Sequence, residues 1–135
     1  MPPSRRAPTA DELAAALDAV GPWVRGDAGA PPRPTIAAAV RASLRTLERV
    51  APGHSVEVRV PPHGAVQCVA GPHHTRGTPP NVVETDAVTW LALAVGHQSW
   101  MGALEGGRLR TSGHRAGEVA RWLPVGRSTP SSDDP

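Results

Sequence analysis

Trp90-Leu91-Ala92-Leu93-Ala94-Val95-Gly96, followed by Ala103-Leu104 and then by Gly107-Arg108-Leu109-Arg110-Thr111-Ser112-Gly113, is the stretch whose spacing decides the fold. Trp90, Leu93 and Ala94 recur at helical intervals. Asp86 is placed to accept a backbone hydrogen bond as N-cap, and Gly96 can take the left-handed conformation that ends a helix. The pattern predicts a short helix over 87–95. Ser99 is placed to cap a second one, with Trp100, Ala103 and Leu104 on one face and Gly106-Gly107 as its stop. Arg108 to Ser112 then alternates as a strand, Leu109 and Thr111 to one side and Arg108, Arg110 and Ser112 to the other, ending at Gly113.

This spacing resembles the C-terminal half of the type-two sterol carrier proteins. In that family a large apolar residue, an aliphatic three later and a glycine six later close the first of these helices, as Trp90, Leu93 and Gly96 do here. An alanine paired with an apolar residue then precedes a Gly-basic-aliphatic strand start, matched by Ala103-Leu104 and Gly107-Arg108-Leu109 without insertion, and Gly113 matches the glycine that closes the strand. The chain departs from the pattern at Thr89, where the family usually carries an acid, at His97, where it usually carries a base, and after Gly113, where His114 to Leu123 replace an apolar, Met- and Leu-rich segment. The central run from Arg59 to Asn81, rich in Pro, Gly and His, looks like that of a bacterial subgroup of short, stand-alone members. The resemblance implies an α+β fold: a single sterol-carrier-like domain whose mainly antiparallel sheet of about five strands is covered by helices. It also implies a non-enzymatic domain that holds a lipid or other apolar small molecule between sheet and helices.

The residues upstream fit that order of elements. Met1 to Ala7 read as a disordered basic lead-in, and the domain is expected over 8–124. Thr9 and Glu12 form a capping box, and Leu13, Leu17 and Val20 line one helical face up to a stop at Gly21-Pro22. Gly26 to Pro34 is a Pro- and Gly-rich connector. From Thr35 a second helix carries Ile36, Val40, Leu44 and Leu47 on one face and Arg41, Arg45 and Arg49 on another, until Pro52-Gly53. Val56, Val58 and Val60 alternate with Glu57 and Arg59, and a turn at Pro61 to Gly64 leads to a partner strand from Ala65 with Val66 and Cys68 on one side. The prolines and glycines of Gly71 to Pro80 exclude regular structure, and Asn81 to Thr85 resumes as a third strand. The Ser-, Pro- and Asp-rich run over 125–135 reads as a disordered tail.

At 135 residues and 39% hydrophobic content the chain suits one domain with one modest core. No apolar run approaches the roughly 20 residues of a membrane span, the N-terminus lacks an apolar signal core, and the single Cys68 allows no intrachain disulfide, so the cytoplasm is the expected compartment. All fourteen basic residues are arginine, yet the formal net charge is only +2. They are scattered, and the only aromatics are four tryptophans, which argues against a nucleic-acid surface with its basic stripe and interleaved aromatics.

Seven residues are candidates for the walls of an apolar pocket: Trp90, Leu93, Trp100, Leu104, Leu109, Val119 and Leu123. The same residues could instead fill a core, leaving a domain that works through protein contacts, with the arginine face of the second helix or the Pro-rich loop as its surface. An enclosed volume beneath Trp90 favours the first reading and close packing the second. If buried, Trp90 and Trp100 each need an acceptor for the indole N–H. His73, His74 and Arg76 form a candidate polar rim for a carboxylate or phosphate head group; alternatively Arg76 braces Glu84 or Asp86 within the fold. Metal is not expected, because adjacent histidines on an extended chain point apart and no four-ligand set is spaced for zinc. A strand cysteine reads as an inert core residue, no paired acid and base suggests catalysis, and no cofactor is called for.

Overall fold

The computed structural model describes residues 6–71 and 81–126. Two helices open the chain. α1 (Ala10–Val24) begins with the expected capping box, Thr9 accepting from the Glu12 N–H while Glu12 accepts from the Thr9 N–H. It does not stop at Gly21-Pro22: Pro22 lies inside the last turn, where Gly21 O still accepts from Arg25 N, and Val24 is buried. One missing donor near a helix end is tolerated when the final turn docks apolar side chains. α2 (Arg33–Val50) starts two residues earlier than Thr35, with Pro34 in its first turn where a missing N–H costs nothing. Its expected apolar face, Ile36, Val40, Leu44 and Leu47, is buried throughout.

The sheet has four strands among the described residues, in the order β2-β1-β3-β4. β1 (Val56–Val60) pairs antiparallel with β2 (Gly64–Cys68) as the expected hairpin, and β3 (Asn81–Thr85) pairs antiparallel with β4 (Leu109–Ser112). The central pair, β1 with β3, runs parallel, Val56 opposite Asn81 and Arg59 opposite Glu84. The expectation of a mainly antiparallel sheet of about five strands is met in part: two of the three pairings are antiparallel, the central one is parallel, and the described residues form four strands. Strand alternation reveals which side chains point inward but carries no sign of which neighbour a strand will choose.

Valines 56, 58, 60, 66 and 83, with Cys68, form the inner face. Glu57, Arg59, Gln67, Glu84 and Arg110 stand on the outer face, where Arg59 pairs with Glu57 and Arg110 with Glu84. Thr111, expected inward beside Leu109, is exposed on the edge strand. The inner face is covered chiefly by α2, which packs on β2, while α1 and α3 (Ala87–Val95) pack against α2 and each other. α3 ends at a left-handed Gly96 as expected, and α4 (Trp100–Glu105) follows its Ser99 cap. A 3-10 helix over Ala116–Trp122 packs on β3 and β4. Val125 is buried and donates its N–H to Ala94 O at 3.0 Å, fastening the chain beyond the 3-10 helix to the end of α3.

Candidate functional site

α3 is apolar on almost every side, so it can only lie inside the molecule. Thr89 through Ala94 are all buried, held between α1 and α2. This burial brings the seven candidate residues to one cluster. Trp90, Leu93, Leu109 and Val119 are fully or almost fully buried, and Trp100, Leu104 and Leu123 pack against them while remaining partly exposed. The exposed three lie on the side formed by α4 and the chain after the 3-10 helix. In α4 only Ala103 is buried, and Met101 is 59% exposed.

The indole N–H of Trp90 donates to Ser43 Oγ at 2.8 Å, and that hydroxyl in turn bonds the Ala39 and Val40 carbonyls. Neither a ligand head nor a backbone carbonyl is needed to satisfy it. Sequence reading missed Ser43, although its signal was present: it falls three residues after Val40, on the apolar face of α2.

A second polar cluster, also missed, holds the far end of the sheet. Arg115 forks onto Glu118 at 2.6 and 3.0 Å, donates to Ser55 Oγ and reaches Ala70 O, while its backbone N–H donates to Asn81 Oδ1. Asn81 Nδ2 donates to Ser55 O, so β1, β3 and the 3-10 helix share one set of hydrogen bonds. A side chain at Gly71 would meet Arg115 and Ser55 at 2.0 and 2.1 Å, which accounts for glycine there. The guanidinium of Arg115 lowers the pKa of Glu118 by hydrogen bonding to it. Asn81 could have been singled out as a lone amide at an inward strand position.

His73, His74 and Arg76 lie outside the described residues. The carboxylate that Arg76 was expected to brace, Glu84, is taken by Arg110 at 2.5 Å, and Asp86 caps α3 through the Thr89 N–H. Cys68 is buried, and burial, with a smaller contribution from the Glu48 charge, pushes its thiol up to about 12. Such a thiol is a poor nucleophile at neutral pH. Among the described residues no group of three or more His, Cys, Asp or Glu is placed to hold a metal ion, and no helix is long and apolar enough to cross a membrane.

Two surface concavities lie away from the seven-residue cluster. An open groove of about 540 Å³ runs along the carboxyl ends of β1 and β3, bordered by Pro61, Glu84, Asp86, Arg108 and Arg110. A cleft of about 270 Å³ separates the start of α1 from the end of α2.

The architecture is a mixed sheet covered by helices, with a tryptophan-centred apolar cluster between the layers. Residues 32–125 match the family described as bacterial SCP ortholog, and the chain belongs to that sterol-carrier-like family. No curated protein matches the chain.

Proposed function

We propose that the domain is a non-enzymatic carrier of a lipid or other apolar small molecule, taken up between the sheet and the α3–α4 layer. The observation that carries this reading is the uneven burial of the apolar cluster. Trp90, Leu93, Leu109 and Val119 make a closed floor, whereas Trp100, Leu104 and Leu123 on the α4 side are only partly covered. α4 is six residues long, contributes one buried side chain and is bracketed by Gly96 and Gly106-Gly107. Displacing so short a cover costs few buried contacts, and an apolar chain replacing it would restore them. The single buried cysteine suits a reducing cytoplasm, and the scattered arginines give no reason to invoke nucleic acid.

A second reading is favoured by a specific contact. Trp90 is completely buried with its N–H satisfied by Ser43, the packing expected of a domain with a filled core that acts through protein contacts. Native mass spectrometry of the freshly purified protein, with tryptophan fluorescence during titration by fatty acyl chains and a sterol, separates the two. A co-purifying lipid near one-to-one stoichiometry, or a saturable fluorescence change, is expected for the carrier. A bare protein mass with unchanged fluorescence assigns the filled-core interaction domain.

A further inference from the structure

α1 is held to the rest of the described molecule by apolar packing alone. Every hydrogen bond made by residues 10–24 closes within residues 6–27: Thr9 and Glu12 cap each other, Arg6 pairs with Glu12, and the last turn is bonded by the residues that follow it. What docks the helix on α2 and α3 is one row of side chains, Leu13, Leu17, Val20 and Val24, half-buried at Leu17 and buried at the other three. The remainder is sutured without it, α2 to α3 by the bond from Trp90 to Ser43, and β1 and β3 to the 3-10 helix by Asn81 and Arg115. The connector from α1 to α2, residues 25–32, is exposed almost throughout, and residues 28–31 make no hydrogen bond among the described residues. Charge is sorted between the two helices as well. α1 carries Asp11, Glu12 and Asp18 and no base, whereas α2 carries Arg33, Arg41, Arg45 and Arg49 against the single acid Glu48, and no ion pair joins them among the described residues.

We infer that the face of α2 and α3 beneath α1 is a helix-binding groove, filled in cis by α1 and in trans, when α1 lifts, by an acidic amphipathic helix of a partner protein. A helix attached only by apolar contacts at the end of an exposed connector can open without breaking a polar bond of the remaining fold, which places its opening among the low-cost sub-global motions. The surface uncovered is already shaped to a helix, and it reads aliphatic side chains at the i, i+4, i+7 and i+11 spacing of Leu13, Leu17, Val20 and Val24. The arginines of α2 favour acids on the incoming helix, as on α1. The connector makes α1 an intramolecular competitor at an effective concentration on the order of millimolar, so the partner must outbind α1 to hold the groove. The inference rests on neither reading of the Trp90 cluster.

The test uses the isotope-labelled full chain and, as probe, an unlabelled peptide of residues 8–25, whose chemistry is that of the expected partner. In the chain alone, the mid-helix amides of Leu17 and Val20 should exchange with solvent at least about tenfold faster than those of Val40 and Leu44 in α2. On titration, the α1 amides of the chain should move saturably to unstructured positions while α2 and α3 keep their native shifts, with half-saturation near millimolar. A peptide carrying Leu13→Asp and Val20→Asp should displace nothing, and one with Asp11→Lys and Asp18→Lys should bind several-fold more weakly at low salt. Two changes to the chain should strengthen uptake. Val24→Ala removes two methyl groups from the cis competitor and should lower half-saturation about tenfold. Doubling the connector with Gly and Ser after Gly29 touches no packed side chain and should lower it about threefold, because effective concentration falls roughly as the −3/2 power of length. A merely structural α1 would give no strengthening in either variant. Equal exchange of α1 and α2 amides, no saturable displacement, equal action of the Asp-substituted peptide, or a half-saturation indifferent to connector length overturns the groove, and equal binding of the acidic and Lys-substituted peptides overturns the partner class.

Discussion

Ser43 decides how Trp90 can be buried. Replacing it with alanine leaves an indole N–H without an acceptor in the core, a cost of about 1–3 kcal/mol. Urea unfolding should show that loss, and most of it should vanish in a Trp90→Phe background, where no N–H remains to be satisfied. Gly53 is equally constrained by position. Its φ is +150°, and an added Cβ would lie 2.1 Å from the backbone oxygen of Val69, itself held at φ +69°. Backbone cannot swing aside as a side chain can, so Gly53→Ala should destabilise by about 2–4 kcal/mol in the same assay. Sequence marks such positions unevenly. The apolar partners of Trp90 followed from helical spacing, whereas Ser43, Ser55 and Asn81 carry polar groups whose partners in other elements lie 26 to 60 residues away and cannot be read from local pattern.

Among the elements, capping chemistry was the most legible. Thr9, Asp86 and Ser99 each cap the helix that sequence assigned to them, because a cap needs only residues three apart. The α1 cap also sets a response to acid. Hydrogen bonds from Arg6, and then from the Thr9 N–H, hold Glu12 down at about 2 against an ordinary 4.5. A carboxyl with a depressed folded value contributes stability above its unfolded pKa and loses it as pH falls through the folded one. The wild type should therefore lose stability between pH 4.5 and 2. Arg6→Gln should lose less in that window, and the difference should shrink in about 0.5 M salt because the pair is exposed. The Arg115 cluster was illegible for the opposite reason: it joins three elements. Asn81→Leu removes an acceptor from the Arg115 N–H and a donor from Ser55 O, and should cost about 2–4 kcal/mol by denaturant titration, two unsatisfied buried groups' worth.

At the scale of the molecule, sequence read the inward faces and the order of elements, and carried no sign of the parallel pairing at the centre of the sheet. Both arrangements of β1 and β3 bury the same valines, so the apolar pattern does not distinguish them. Cys68 offers a probe of the assembled core. Its raised pKa means that the folded thiol stays protonated where an unfolded one ionises, so this contribution to stability is full below pH 9.0 and is lost as pH rises toward about 12. At neutral pH a thiol reagent should label Cys68 only at the rate of opening, and labelling should accelerate in step with destabilising variants such as Asn81→Leu.

The parallel pairing of β1 with β3 has a consequence for how the chain can be divided. It is a single seam between two contiguous stretches of sequence: α1, α2, β1 and β2 on one side, and β3, α3, α4, β4 and the 3-10 helix on the other. Across it run the strand register, the Trp90 bond to Ser43 and the Arg115 and Asn81 bonds to Ser55. Each half alone would present one bare strand edge and half of an apolar interior, too little to bury by itself. A chain cut between residues 71 and 81 should thus yield two peptides that are individually unfolded yet recover helical circular dichroism on mixing, joining by strand addition into a native-like heterodimer.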